Sequence, residues 1–141
     1  MTRLGKFLRL DRWQRRVVTE AALSVVAVRI ALTILPFRWV QRITGRRAVS
    51  AEEQPGRPAT ATPDELASAV VRVSRSVPRA TCLTQALALD WLLRRHGHAA
   101  SVEIGVTKDA RGQLAAHAWV ESGGSVLIGG DEAARFTPLT K

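Results

Sequence analysis

Ala80-Thr81-Cys82-Leu83-Thr84-Gln85-Ala86-Leu87 opens the run whose reading decides the fold. It follows Pro78, holds the only cysteine, and begins a stretch from Leu83 to His96 that Gly97 closes. Cys82, Ala86, Leu89 and Leu93 share one helical face, and Leu83, Leu87 and Leu92 widen it. A helix apolar over most of its circumference is buried, so the cysteine is predicted at the end of a central helix. Thr81 can cap that helix by accepting from an orphan amide of the first turn. Cys82 then lies where the positive helix terminus and free N–H groups favour a thiolate. The same pattern fits an inert thiol packed as a small hydrophobe. The stretch alone leaves both readings open.

Upstream, Thr62-Pro63-Asp64-Glu65 is a helix start: Thr62 caps, Pro63 takes the first turn and Glu65 completes a capping box. Leu66, Val70, Val73 and Val77 make one apolar stripe, and Pro78 is predicted to end the helix. Downstream of Gly97 the period changes from 3.6 to 2. Val102, Ile104 and Val106 alternate with Glu103 and Gly105 as a strand. Asp109-Ala110-Arg111-Gly112 is a turn, Leu114 to Glu121 a second strand, Gly123-Gly124 a hairpin turn, and Ser125 to Ile128 a third strand. Helices followed by an antiparallel meander predict an α+β fold.

The chain has 141 residues, 46% of them apolar, which suits one domain with a modest core. A lone cysteine allows no internal disulfide, and no signal-peptide pattern opens the chain. We therefore expect a cytoplasmic protein. The net charge of +9 is unevenly placed. Residues 1–50 hold eleven Lys+Arg against Asp11 and Glu20, while residues 51–141 hold ten of each sign. A uniformly basic nucleic-acid domain would not show this division, so no nucleic-acid partner is expected. A basic, apolar N-terminal element meeting an acidic partner or a membrane surface would.

Residues 17–37 are strongly apolar, but Glu20, Arg29 and Pro36 interrupt them. An arginine at mid-bilayer costs at least about 2.5 kcal/mol. A helix buried against the domain or another protein is expected ahead of a spanning one. A helix lying on the membrane, anchored by Trp13, Trp39 and the arginines, is a further reading. The expected organisation is a basic apolar helical region over 1–50, a linker over 51–61 rich in Glu, Pro and Gly, and a core over 62–141.

The second strand holds His117 within Ala115-Ala116-His117-Ala118-Trp119-Val120-Glu121. His117, Trp119 and Glu121 share a face, and the flanking alanines let a helix end approach. A strand histidine is often only structural. Paired with a helix-end cysteine, it can deprotonate the thiol and later protonate a leaving amine. A third group should hold the imidazole's tautomer. Pairing across Gly123-Gly124 sets Gly130 opposite His117, and a bulge at Gly129-Gly130 would turn Asp131 toward the ring. Glu121 faces the right way but lies about 13 Å along the strand at 3.3 Å per residue. Asp131 is preferred and Glu121 is the alternative. His96 and His98 have no further Cys or His cluster, so no zinc site is expected. Gln85 and Trp119 could line a cleft or simply pack, and Asp90 with Arg94 is an ordinary i, i+4 pair.

Cys82-Leu83-Thr84-Gln85-Ala86-Leu87-Ala88-Leu89, Arg94-Arg95-His96-Gly97, Ile104-Gly105-Val106 and Ala116-His117-Ala118-Trp119-Val120-Glu121 together resemble the leader peptidases of lasso peptide biosynthesis. The resemblance covers residues 62–141, and the apolar helix ending Leu35-Pro36-Phe37-Arg38 also fits. It implies a papain-related, transglutaminase-like fold, in which a nucleophile helix packs on an antiparallel sheet. It also implies a Cys-His-Asp triad, with Cys82 as nucleophile, His117 as base and Asp131 as the third member, and no cofactor. Lacking a leader-reading winged-helix domain, the chain is expected to be the split peptidase subunit. Its partners would be a precursor peptide, a separate leader-binding winged-helix protein and an ATP-dependent macrolactam synthetase. Two other readings remain: another acyl-transfer enzyme such as a transglutaminase or amidase, and a non-catalytic module that docks on membrane or partner.

Overall fold

Three long helices stack beside one antiparallel sheet. A computed structural model of the chain describes residues 11–35 and 61–139. Its elements run α1 (Arg12–Ile34), α2 (Pro63–Ser74), α3 (Cys82–Arg95), β1 (Ser101–Lys108), β2 (Leu114–Ser122), β3 (Ser125–Ile128), the single turn α4 (Gly130–Ala133) and β4 (Thr137–Pro138). Residues 51–60 of the expected linker lie outside the described residues, as do Pro36, Phe37, Arg38 and Trp39.

The helices begin and end where local chemistry dictates. Thr62 Oγ1 accepts from the Glu65 amide at 3.3 Å, and the Glu65 carboxylate accepts from the Thr62 amide at 2.8 Å, closing the capping box. That helix stops at Ser74, four residues before Pro78. Its end tightens into turns, with Ser76 N–H on Val73 O and Val77 N–H on Ser74 O. Pro78 disfavours the helical region only at Val77, the residue before it; the C-cap Arg75 is still helical at φ −64°, ψ −16°. The C-terminus of α3 is a Schellman motif. Gly97 takes φ +82°, the Gly97 amide reaches Arg94 O, and the His98 amide reaches Leu93 O.

The α+β fold stands. Leu66 and Val70 of α2 and Leu89, Leu92 and Leu93 of α3 are buried without residual exposure. Val17, Ala21 and Val25 of α1 join the same core, as do Ala118, Val120 and Ile128 from the sheet. Each fully buried large aliphatic contributes about 1.5–3 kcal/mol. Thus α1 is not an appendage, and it packs on both α2 and α3. Among the described residues its other side is unpartnered. Leu23 is 66% exposed and Ile34 74%, and Val26 and Ile30 continue that stripe.

The sheet order is β3-β2-β1-β4, antiparallel throughout. β1 and β2 pair from Ser101↔Glu121 to Lys108↔Leu114, which sets Gly105 opposite His117. β2 and β3 form the expected hairpin, pairing Ser122↔Ser125 and Glu121↔Val126, and then the register shifts to Val120↔Ile128. The extra residue is Leu127, so the bulge sits earlier than the glycine pair. β3 ends at Ile128, and Gly129 at φ +79° turns the chain into α4. β4 then returns to the other edge of β1, pairing Gly105↔Pro138.

Candidate active site

Cys82 is the first residue of α3, half-buried against the core. Thr81 caps the helix, its Oγ1 accepting from the Thr84 amide at 3.4 Å, while the Gln85 amide reaches Thr81 O at 3.0 Å. The Cys82 and Leu83 amides have no acceptor among the described residues. An α-helix leaves its first amides free, and they gather partial positive charge. The thiol therefore stands beside two bare donors.

His117 lies on β2, the strand against which α3 packs. Ala118 and Val120 face the helices. His117 and Trp119 alternate onto the opposite face. Only 12% of the imidazole is exposed. Phe136 lies against it, with ring centroids 5.1 Å apart at 32°, and Trp119 lies 6.3 Å away at 23°. Trp119 is itself 4% exposed, and its indole N–H donates to Glu121 at 3.1 Å. Room for this stack comes from Gly105. A Cβ there would lie 2.7 Å from Phe136 Cβ and 2.9 Å from the Trp119 ring.

The polar partners of the imidazole differ from the sequence expectation. Nε2 lies 2.9 Å from the Gly129 carbonyl oxygen. Nδ1 lies 4.0 Å from Glu132 Oε2, on a side chain that is 59% exposed. Glu132 is the carboxylate at ion-pair distance among the described residues. Asp131, carried into α4 by the turn at Gly129, is exposed and makes no such contact. Glu121 is engaged by Trp119. No hydrogen bond joins the Cys82 thiol to the imidazole among the described residues. The ring lies on the face of β2 opposite the helices, so the structure does not bring the Cys82 thiol and the imidazole together.

The sequence reading missed Gly105, Phe136 and the Gly129 carbonyl. An isolated glycine within a strand signals a close approach, and Gly105 could have been found that way. Phe136 lies past the last strand read from the sequence. A backbone acceptor leaves no compositional trace.

The family described as the transglutaminase-like superfamily matches residues 22–141. The chain belongs to that superfamily. No curated protein and no solved structure matches it. A transglutaminase-like fold of this kind supports cysteine-protease or acyl-transfer chemistry. Within it, the remaining polar residues take structural parts. His96 Nε2 lies 2.9 Å from Glu20 Oε2, tying α3 to α1. His98 Nε2–H donates to Ala61 O at 2.7 Å. The two histidines thus diverge, and no cluster of metal-ligating side chains occurs among the described residues. Burial pushes the Glu20 carboxyl up. Hydrogen bonds from His96 and Arg16, with their positive charge, outweigh it and hold the group below its ordinary range. Asp90 goes the other way: burial raises it, and Arg94 at 2.9 and 3.0 Å offsets this only in part.

Proposed function

We propose that this transglutaminase-like chain is a cysteine peptidase that removes the leader from a ribosomal lasso precursor peptide. One observation carries the enzymatic reading: the thiol stands at a helix terminus beside the Cys82 and Leu83 amides, which have no acceptor among the described residues. In this reading substrate binding brings the ring to the thiol; Cys82 Sγ then attacks the scissile carbonyl, forming an S–C bond as its proton passes to His117. The Cys82 N–H donates to the oxyanion. The imidazole then protonates the leaving amine as the C–N bond breaks. Water, deprotonated by the same ring, hydrolyses the thioester and frees the leader carboxylate. Leader cleavage, rather than transfer to another amine, rests on the sequence resemblance. The test is precursor cleavage followed by mass spectrometry. Wild-type protein releases the leader, and Cys82→Ala and His117→Ala proteins do not, while both keep the native fold. Substantial cleavage by pure Cys82→Ala protein refutes the mechanism.

A separate winged-helix protein supplies leader recognition in this reading, and the freed core passes to a macrolactam synthetase. The outward side of α1 is its docking surface, with Arg12 and Arg16 at one end and Leu23, Val26, Ile30 and Ile34 along the rest. Tethering raises the effective concentration of the scissile segment near Cys82. A second reading, attachment to lipid, is favoured by the length and apolarity of α1. The helix could cross a membrane on those grounds, and 22% of its most apolar window is buried. Cleavage of full-length precursor with and without the partner, in detergent-free buffer, separates the two. A lower apparent KM with the partner supports docking. Equal rates turn α1 toward lipid.

A further inference from the structure

We propose that the main-chain carbonyl of Gly129 is the group that orients His117, in the place where a triad usually sets a side-chain carboxylate. The inference rests on the reading of His117 as the proton-transfer group. A carbonyl oxygen only accepts, so the 2.9 Å contact requires the proton on Nε2. In the neutral ring the lone pair then sits on Nδ1. That is the tautomer a base needs if Nδ1 is to take the thiol proton, and the carbonyl dipole stabilises the cation that results.

The surroundings hold this arrangement. Phe136 and Trp119 fix the plane of the ring. Gly129 is fixed in turn, for two separate reasons. Its φ of +79° is a conformation that residues with a Cβ rarely adopt. A Cβ there would also lie 3.0 Å from His117 Nε2 and 2.9 Å from both Ala118 O and Trp119 Cβ. Glu121, Asp131 and Glu132 do not compete. Glu121 accepts from the Trp119 indole, Asp131 is outside ion-pair distance, and Glu132 stands exposed at 4.0 Å on the Nδ1 side. Gly129 is thus a positioning residue that acts through its backbone, and its identity as glycine lets the carbonyl approach the ring.

Two measurements test this. The first is the ring-nitrogen NMR spectrum of full-length Cys82→Ala protein, which contains no thiol to share the proton. Neutral His117 is expected as the Nε2–H tautomer, and an Nδ1–H tautomer overturns the proposal. This readout needs no activity, so it stands apart from any failure of the peptidase reading. The second replaces Gly130 by glycolic acid in the full chain, which makes the Gly129 carbonyl an ester and a weaker acceptor. The Gly130 N–H that is lost has no acceptor among the described residues. The expected result is a fall in kcat for precursor cleavage of about tenfold, the scale of one neutral hydrogen bond, with KM unchanged. An unchanged kcat, or a larger loss in Asp131→Asn or Glu132→Gln protein at equal stability, overturns it. Gly129→Ala alone is uninformative, because strain and contact both threaten folding.

Discussion

Gly105→Ala adds a single methyl group and tests the packing around the imidazole. Gly105 is buried opposite His117. The new Cβ meets Phe136 Cβ at 2.7 Å and two Trp119 ring atoms at 2.9 and 3.0 Å, where ordinary contact begins at 3.4 Å. The shortfall at Phe136, about 0.7 Å, must be taken up by movement. Phe136 Cβ is attached directly to its backbone, so the segment entering β4 moves with it, and Pro138 is paired to Gly105 itself. Overpacking of this kind costs about 1–3 kcal/mol. The two rings that yield are the ones fixing His117. A displacement near 1 Å can lower a rate about a hundredfold, so a kcat loss between about tenfold and a hundredfold is expected. Urea unfolding gives the stability change, and, on the proposed function, steady-state cleavage of a precursor peptide gives kcat and KM. The reasoning is refuted if Gly105→Ala protein keeps the wild-type midpoint and kcat. Lost stability with unchanged kcat would show that the rings support the sheet without positioning the imidazole.

Leu89→Ala should cost about 2–5 kcal/mol in urea unfolding, since Leu89 is fully buried in α3; a loss under 1 kcal/mol would place the core elsewhere. Glu20 sits below its ordinary value of 4.5 in the fold. Its contribution is therefore present above that pH and lost as the pH falls through the folded value. The stability gap between wild-type and Glu20→Gln protein should narrow as urea midpoints are followed from pH 7 to pH 3, and a gap that widens refutes the sign. Arg79 holds φ +59° in the loop before Thr81. Arg79→Gly should therefore stabilise the fold by about 0.5–1 kcal/mol, the left-handed strain relieved less the added chain entropy. Calorimetry decides this, and a lower Tm counts against it.

Periodicity made the helix-and-meander order readable, because the apolar spacing of α3 and the alternation of β1 and β2 each report a single buried face. Thr62, Glu65, Thr81 and Gly97 marked helix ends because capping is local chemistry. The position of the bulge was not legible. Leu127 differs in no compositional way from its neighbours, and a one-residue shift decides which group reaches the histidine. The choice of Asp131 assumes that a side chain does the orienting. The turn at Gly129 brings a main-chain oxygen to 2.9 Å from Nε2, a contact that no side-chain pattern announces. The return of the chain as β4 was equally hidden, since Thr137-Pro138 is too short to show a period.

Helix α3 is fastened at one end and open at the other. Its last turn is held by the Schellman bonds and by His96 to Glu20. Its first two amides have no acceptor among the described residues. In hydrogen exchange the protons of Leu92 and Leu93 should persist until the molecule opens globally, while those of Cys82 and Leu83 exchange almost as in a free chain. Any oxyanion lodged at the thiol would slow that second pair alone. If the proposed acyl transfer takes place, exchange at this end of the helix reports an anionic group held beside Cys82 without a product assay.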